Sequence, residues 1–282
     1  MHRGKNQTSS FEALWKSYVG FLEGTGKSRS TISSYQSDLA IFKDFLQQKK
    51  FQFAKMQETD FESFLVYMER LGLKTNTRRR KLLTVRSLYR YATVRKKLRV
   101  SPAKFVRAPE RIEKLPWIPA KEKMENLLKS LPADSSTAKR NRILVQTILE
   151  TGLSVAELCS LQWEDLSGTK VKVHGKRARE LKLSKELVEE LRQWRKLAKG
   201  KFLFPGFNRH GLHSPKMTPR GVELVFHALA KQFGLQDMKP KTLRHYAILR
   251  WLEENVKQEE ILRRLGVNAA FSLENYRKIL NG

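Results

Sequence analysis

The chain has few cysteines and few acidic residues, and both shortages restrict what it can be. Cys159 is the only cysteine among 282 residues, so no disulfide can form within the chain. This excludes the small secreted proteins that disulfides hold together. Against 28 Asp and Glu stand 56 Lys and Arg, which gives a formal net charge of +28. So many positive charges repel each other unless a polyanion neutralises them. We expect a nucleic acid, and an anionic membrane surface is the alternative.

Long apolar runs are also missing. No stretch approaches the roughly 18 apolar residues that a membrane-spanning helix needs, and no apolar run of the signal-peptide type opens the chain. Hydrophobic residues nevertheless make up 40% of the sequence, which is enough for a buried core and excludes global disorder. The single cysteine fits a reducing cytoplasm, so we expect a cytoplasmic protein that is associated with the nucleoid when it binds DNA and has no membrane partner. The length of the chain is sufficient for two domains.

Residues 71–109 contain thirteen Lys and Arg but no Asp or Glu. Within this stretch Leu82, Val85 and Leu88 keep helical spacing, which predicts an amphipathic basic helix. A run of charge is usually a solvated helix face, but the lack of acid over about forty residues favours contact with phosphates. The predicted DNA-binding residues of this stretch are Arg78, Arg79, Arg86, Arg90 and Lys97.

Prolines divide the chain into two parts. Helical spacing predicts four helices in residues 1–100, which we interpret as a helical DNA-binding domain. Prolines at 102, 109, 116 and 119 then predict a linker over 101–119, and residues 120–282 form the second predicted domain. Residues 1–115 carry 25 Lys and Arg against 10 acids, and residues 116–282 carry 31 against 18. Because both parts are basic, we expect them to close around a duplex as a clamp.

Three motifs of the second part combine cations with a tyrosine. Residues 151–158 read TGLSVAEL, and residues 173–179 read VHGKRAR in a predicted hairpin with strands at 170–173 and 180–183. The sequence from residue 239 onward predicts three helices, at about 241–255, 258–265 and 272–280, with Gly266 ending the second. Lys241 and Arg244 share one face of the first helix, and Tyr276 follows in the third. Two cations and a phenol suit a site that holds a phosphodiester while the phenolate attacks phosphorus. The alternative is that the cations are solvated and Tyr276 belongs to the core.

In this order, the three motifs resemble those of the tyrosine recombinases, the phage integrase family. The resemblance implies a mainly α fold with a small antiparallel β element. An N-terminal helical core-binding (SAM-like) bundle would precede an α+β domain of the catalytic type. It also implies a reaction on double-stranded DNA that needs no metal, cofactor or small-molecule substrate. A tyrosine attacks the scissile phosphate to give a 3′-phosphotyrosyl intermediate, arginines neutralise the phosphoryl oxygens, and a lysine protonates the departing 5′ oxygen. Homo- or hetero-oligomers on DNA would be the partners.

Four positions match the family's catalytic residues. By resemblance, Tyr276 is the nucleophile, Arg244 the second arginine and Lys176 the general acid. Lys241 stands where the family has His or Lys.

Two positions depart from the family pattern. Ser154 stands where the first catalytic arginine belongs, and Val267 where His or Trp normally follows Leu-Gly. Ser154 and Glu157 instead have the spacing of a capping box, in which each satisfies a backbone N–H of the other. The substitute guanidinium is left open among Arg140, Arg142, Arg177 and Arg179, of which the last two are also predicted to bind DNA.

Two functions are favoured by the sequence, and a third class, an RNA-binding or topoisomerase-like protein, is less favoured. The first is site-specific DNA recombination or integration through Tyr276, and the second is DNA binding as a regulatory or architectural relative with impaired catalysis. His210 and His213 lie three residues apart in a loop without a third ligand nearby, so we predict no metal site there.

Overall fold

The computed structural model describes residues 3–112, 116–208, 213–235, 238–268 and 271–281. The chain divides into two compact units, Met1–Glu113 and Lys114–Gly282. Helices dominate both units, and the described strands lie in the second. The predicted fold class, mainly α with a small antiparallel β element, is confirmed. The domain boundaries placed at 100 and 120 stay predictions.

The first unit is a bundle of four helices around an aromatic core. Fully buried Phe42, Phe45, Phe61, Phe64 and Tyr89 fill its centre, because apolar residues recur at helical spacing along each helix. The helices are α1 (Arg3–Gly24), α2 (Arg29–Lys49), α3 (Glu58–Arg70) and α4 (Thr75–Val94).

A buried carboxylate ties α2 to α4. Asp38 of α2 is fully buried and accepts hydrogen bonds from Lys81 Nζ at 2.8 Å, Arg80 Nη1 at 2.5 Å and Thr84 Oγ1 at 2.9 Å. A charge leaves water at a high cost unless partners satisfy it, and here two cations and a hydroxyl do so. Arg80 and Lys81 of the acid-free stretch therefore pair with a buried carboxylate of the bundle.

The first part of the predicted linker packs onto the same bundle. Ala103 and Val106 are buried in its core. Arg86 donates to the carbonyl oxygen of Val106, and Arg79 Nη1 donates to that of Pro109 at 2.8 Å. Residues 101–112 therefore belong to the packing of the first unit, although their prolines predict an independent linker.

The second unit surrounds a hairpin with helices. Strands β1 (Leu166–Ser167), β2 (Lys170–Val173) and β3 (Arg179–Lys182) form an antiparallel sheet in that order, and β4 (Gly206–Phe207) pairs with β5 (His213–Ser214). The predicted hairpin is confirmed. The helices are α5 (Lys121–Ser130), α6 (Ser136–Thr151), α7 (Val155–Leu158), α8 (Lys185–Arg195), α9 (Pro219–Gln232), α10 (Pro240–Glu253), α11 (Gln258–Leu265) and α12 (Glu274–Asn281).

Helix α6 lies at the centre of this unit and packs against α8 and α10. It ends at Gly152, which has a left-handed conformation with φ of 63°. A Cβ atom at Gly152 would lie 2.8 Å from the ring of Trp251 on α10, so glycine permits this close approach. After the turn follows α7, whose Glu157 lies 4.0 Å from Arg244 of α10, and α12 packs on α10 as well. Across the described ranges, no helix combines the length and apolar character needed to cross a membrane.

Candidate active site

A cleft of about 610 Å³ in the second unit collects residues from all three motifs. Helix α10 contributes Lys241 and Arg244, the loop between β2 and β3 contributes Lys176, and α12 contributes Tyr276. These four residues are spread over 101 positions of the chain (176 to 276), yet they line one cleft. The fold therefore brings the four positions that match the family's catalytic residues to one place.

Tyr276 reaches this cleft from a buried position. Its exposed fraction is 4%, and its side chain belongs to the apolar cluster formed by α10, α11 and α12. Burial raises the pKa of the phenol to about 12, although the positive charge of Arg244 acts in the opposite direction. At neutral pH the hydroxyl is therefore protonated and has to lose its proton before it can attack.

The hydroxyl of Tyr276 lies 2.6 Å from Nδ1 of His245. Burial, together with the charges of Lys241 and Arg244, lowers the pKa of His245 to about 4, so its imidazole is neutral at neutral pH. The sequence motif contains His245, but no role followed from it. His245 lies four residues after Lys241 on a predicted helix, and this spacing indicates that both side chains lie on the same helix face.

Arg244 is held in place by the end of α11. Its Nη2 donates to the carbonyl oxygen of Leu265 at 2.7 Å, one of the last carbonyls of α11, which lack partners within that helix. Its Nη1 lies 4.0 Å from Oε2 of Glu157, and the side chain is 19% exposed. Burial lowers the pKa of this guanidinium, but an arginine remains charged at neutral pH. Arg244 thus presents a fixed positive charge to the cleft.

Ser154 caps α7, as predicted. Ser154 Oγ accepts from the backbone N–H of Glu157, and Glu157 Oε2 accepts from Ser154 N at 2.9 Å and from Ser154 Oγ at 2.7 Å. Ser154 lines the cleft without contributing a charge. Burial acts to raise the pKa of Glu157, but hydrogen bonds from Arg179 and Ser154 outweigh burial and leave this pKa below its ordinary value.

Arg179, predicted to bind DNA, is enclosed by protein. Its side chain is 5% exposed, its Nη1 donates to Glu157 Oε1 at 2.6 Å, and its Nε donates to Arg264 O at 2.8 Å. A Cβ atom on Gly266 would lie 2.6 Å from this Nη1, and Gly266 has φ of 60°. Arg179 therefore joins β3, α7 and α11, and its hydrogen bonds are made to protein groups; a contact of Arg179 with DNA stays a prediction. Its neighbour Arg177 is exposed and lines the cleft.

The other two candidates for a substitute guanidinium lie elsewhere. Arg140 is buried, its Nη1 donates to Pro205 O at 3.2 Å, and burial lowers its pKa to about 10. Arg142 Nη2 donates to Glu190 at 3.3 Å. Neither lines the cleft. Among the four candidates, Arg177 is the one that lies on the cleft wall.

Val267 and the two loop histidines, His210 and His213, are the remaining positions considered in the sequence. Val267 is half-buried and packs against the apolar cluster that contains Tyr276, so its side chain offers no hydrogen bond. Within the described residues, no group of three or more His, Cys, Asp or Glu could hold a metal ion. His210 lies outside those residues, and for His213 only the backbone is described.

The basic residues predicted to bind DNA in the first unit fall into two groups. Arg79 and Arg86 donate to backbone carbonyls, as described above, and Arg78 Nη1 forms a 2.6 Å salt bridge with Glu69. Arg90 and Lys97 are exposed. A shortage of acid within one stretch of sequence therefore does not leave its cations available, because backbone carbonyls of the same stretch and Glu69 accept hydrogen bonds from three of them.

Comparisons with known proteins agree with this architecture. The family model "Phage integrase family" matches residues 119–281, and "Phage integrase, N-terminal SAM-like domain" matches residues 16–96. The protein named tyrosine recombinase XerC from Halalkalibacterium halodurans is 32% identical over 229 residues, which cover 76% of this chain and 75% of the relative. A second tyrosine recombinase XerC, from Staphylococcus carnosus, is 27% identical over 250 residues, which cover 85% and 83%.

Solved structures show a similar fold. A lambda integrase (75–356) dimer bound to a COC′ core site superposes with a TM-score of 0.75 at 14% identity, covering 94% of each chain. The Tn1549 transposon integrase in complex with circular intermediate DNA gives a TM-score of 0.72 at 19% identity, covering 93% of this chain and 94% of the other. At these identities the likeness concerns the fold alone.

Proposed function

Because this chain belongs to the phage integrase family, we propose that it binds double-stranded DNA and cleaves one strand by attack of Tyr276 on a phosphodiester. One observation carries the proposal: the Tyr276 side chain and the cations Arg244, Lys241 and Lys176 line the same cleft. The product of the attack is a 3′-phosphotyrosyl intermediate, and a second attack by a 5′ hydroxyl rejoins the strand. In this scheme the chain carries out site-specific recombination or integration.

Each residue of the cleft has a defined task in this proposal. Arg244, fixed by Leu265, stabilises the charge that builds on the non-bridging oxygens of the phosphate. Lys241 adds a second positive charge from the first turn of α10. Lys176 gives a proton to the departing 5′ oxygen. None of these steps requires a metal ion or an organic cofactor.

The partners follow from the relatives. The two integrase structures named above were solved with DNA, and one of them is a dimer on a core site. We extend this to the present chain as a homo- or hetero-oligomer on its DNA target, acting in the cytoplasm and associated with the nucleoid. The net charge of +28 supports binding to DNA, because phosphates neutralise it.

Cleavage is expected to be slow. The loss of a phosphate-clamping arginine costs on the order of 10³–10⁵ in rate, and the loss of one preorganised donor costs about 10²–10³. Ser154 and Val267 stand at two such positions, and their effects are not additive because the residues act as one unit. Arg177 on the cleft wall supports the proposal, since it can approach a bound phosphate from the hairpin side.

The test is a covalent trap. The full chain is incubated with a duplex whose scissile phosphate carries a 5′-bridging sulfur, so that the cleaved strand cannot rejoin. We expect a protein–DNA adduct that resists denaturation, and Tyr276→Phe should abolish it. An adduct that persists in Tyr276→Phe, or no adduct from a wild-type chain that binds the duplex, overturns cleavage by Tyr276.

A second candidate function is DNA binding without cleavage, in a regulatory or architectural role. The capping box at Ser154 favours it, since this residue serves the structure of α7 and brings no charge to the cleft. Under this alternative, the wild type and Tyr276→Phe bind duplex equally and neither forms an adduct.

A further inference from the structure

The nucleophile candidate has a hydrogen-bond partner that the family resemblance did not assign. Nδ1 of His245 lies 2.6 Å from the hydroxyl oxygen of Tyr276, and their ring centroids are 5.6 Å apart. The two residues come from different helices, α10 and α12, and both line the cleft. A separation of 2.6 Å is at the short end of ordinary hydrogen bonds that involve a hydroxyl group, so a proton can pass between these atoms without a rearrangement.

The protonation states fix the direction of this hydrogen bond. Tyr276 is protonated because burial raises its pKa to about 12. His245 is neutral because burial and its two cationic neighbours lower its pKa to about 4. In the tautomer that carries its proton on Nε2, the imidazole has a free lone pair on Nδ1, and the phenol donates to it.

We propose that His245 is the general base that takes the proton of Tyr276 during strand cleavage. This inference rests on the proposed function. The phenolic O–H bond breaks and its proton moves to Nδ1 while the phenolic oxygen bonds to phosphorus. The bond from phosphorus to the 5′ oxygen breaks, and Lys176 gives that oxygen a proton. The imidazolium then holds one proton and Lys176 lacks one, so the charges balance, and religation reverses both transfers.

Lys241 is not suited to this task, although it occupies the position where the family has His or Lys. A lysine ammonium group has three donors and no lone pair to accept a proton. His245 stands one helical turn after Lys241 on the same face of α10. Position 241 therefore has no imidazole, but His245 provides one a single turn further along the helix.

The charges around His245 make its basicity depend on the substrate. Lys241 and Arg244 face it from α10, Tyr276 from α12, and the cleft also contains Glu157 of α7 and, from the loop after β2, Lys176 and Arg177. The excess of positive charge disfavours an imidazolium in the free protein. A phosphodiester bound between these cations brings a negative charge, which raises the pKa of His245 from about 4 toward its ordinary value of 6.5. The base becomes effective when DNA occupies the cleft.

The experiment measures single-turnover adduct formation by the full chain on two duplexes. The first has an ordinary scissile phosphate and a nick that lets the cleaved end diffuse away. The second has a 5′-bridging phosphorothiolate at the scissile position. The thiolate leaves without a proton, so a defect at Lys176 is relieved on the second duplex and a defect at the base is not. His245→Asn keeps an acceptor atom near the Nδ1 position but cannot take a proton. His227→Asn, at an exposed histidine of α9, is the matched control.

We expect His245→Asn to bind duplex as the wild type does and to form adduct about 10²–10⁴-fold more slowly on both substrates. The wild-type rate should fall in acid with an apparent pKa between 4 and 6.5, and His245→Asn should lack this limb. Lys176→Ala should be rescued on the phosphorothiolate only. Added imidazole should restore part of the rate of His245→Ala, which a merely structural role for His245 does not explain.

Two results overturn the proposal, and they differ from each other. If the wild type forms adduct and folded His245→Asn matches it in rate and pH profile, His245 is not the base, while cleavage by Tyr276 stands. If neither forms adduct on the phosphorothiolate although both bind duplex, the proposed function fails and the proton transfer with it.

Discussion

Arg179 of β3 and Glu157 of α7 form a salt bridge, with 2.6 Å between Nη1 and Oε1. The other carboxylate oxygen of Glu157 accepts the two hydrogen bonds from Ser154 and lies 4.0 Å from Arg244. One carboxylate therefore connects the helix cap, the hairpin and the arginine of the cleft.

Removing the Arg179 side chain should destabilise the second unit. In Arg179→Ala, the half-buried carboxylate of Glu157 loses its cationic partner and the carbonyl of Arg264 loses its donor. We therefore expect the free energy of unfolding to fall by about 3–5 kcal/mol. Urea denaturation of the full chain, followed by tryptophan fluorescence, measures it. Arg192→Ala is the control, because this arginine pairs with Glu189 on an exposed face and should change stability by less than about 0.5 kcal/mol. Equal effects of the two substitutions would contradict a special role for Arg179.

The same carboxylate should make stability depend on pH. Glu157 has a pKa below its ordinary value of 4.5 in the folded protein. Its stabilising contribution is therefore fully present above about pH 4.5 and is lost as the pH falls through the folded pKa. Glu157→Gln should flatten the stability profile below pH 4.5 relative to wild type, measured as urea midpoints over a pH series. Glu189→Gln, at an exposed carboxylate, should leave the profile unchanged.

Ser154→Arg should accelerate adduct formation if the missing arginine limits the rate. The new guanidinium enters the cleft beside Glu157 and Arg244, where the phosphoryl oxygens develop charge. The increase can reach about 10³–10⁵, at a cost of about 0.5–2 kcal/mol for the lost helix cap. The measurement is single-turnover adduct formation on the phosphorothiolate duplex.

Two variants are the controls for this gain. Ser154→Ala loses the cap without adding charge and should give no acceleration. Val267→His adds one donor and should help less than Ser154→Arg, because a single donor does not replace a bidentate cation. If folded Ser154→Arg, Val267→His still binds duplex and forms no adduct, DNA binding without cleavage is the function that stands.

In the first unit, substitution of exposed cations should weaken DNA binding, and substitution of a cation that is hydrogen-bonded to the protein should lower stability. Arg90→Ala and Lys97→Ala should each lower the slope of log binding constant against log salt by about one unit, since each removes one phosphate contact, and should leave stability unchanged. Arg86→Ala should lower stability, because its guanidinium holds the carbonyl of Val106. Fluorescence anisotropy with a labelled duplex at several salt concentrations measures the slopes. Unchanged slopes for Arg90→Ala and Lys97→Ala would place both residues on a face that does not bind DNA.

The helices and the hairpin follow from local pattern, and the sequence by itself determined them. The C-terminal helices were predicted at 241–255, 258–265 and 272–280 and occur at Pro240–Glu253, Gln258–Leu265 and Glu274–Asn281. Apolar spacing and the glycine after a helix end are local features, so they can be read from adjacent residues. The capping box at Ser154 is equally local and is present.

The partners of the charged side chains were decided by the tertiary structure. Arg179 meets Glu157 across 22 positions of sequence, and Arg80 meets Asp38 across 42. His245 meets the hydroxyl of Tyr276 across 31. A cation looks the same in a sequence whether water, a carboxylate or a carbonyl surrounds it, because its energy depends on burial and on groups that only folding brings near. The sequence therefore provided the candidates for the cleft, and the packing of α7, α10, α11 and α12 with the hairpin decided which of them line it, which hold it together, and which base lies beside the tyrosine.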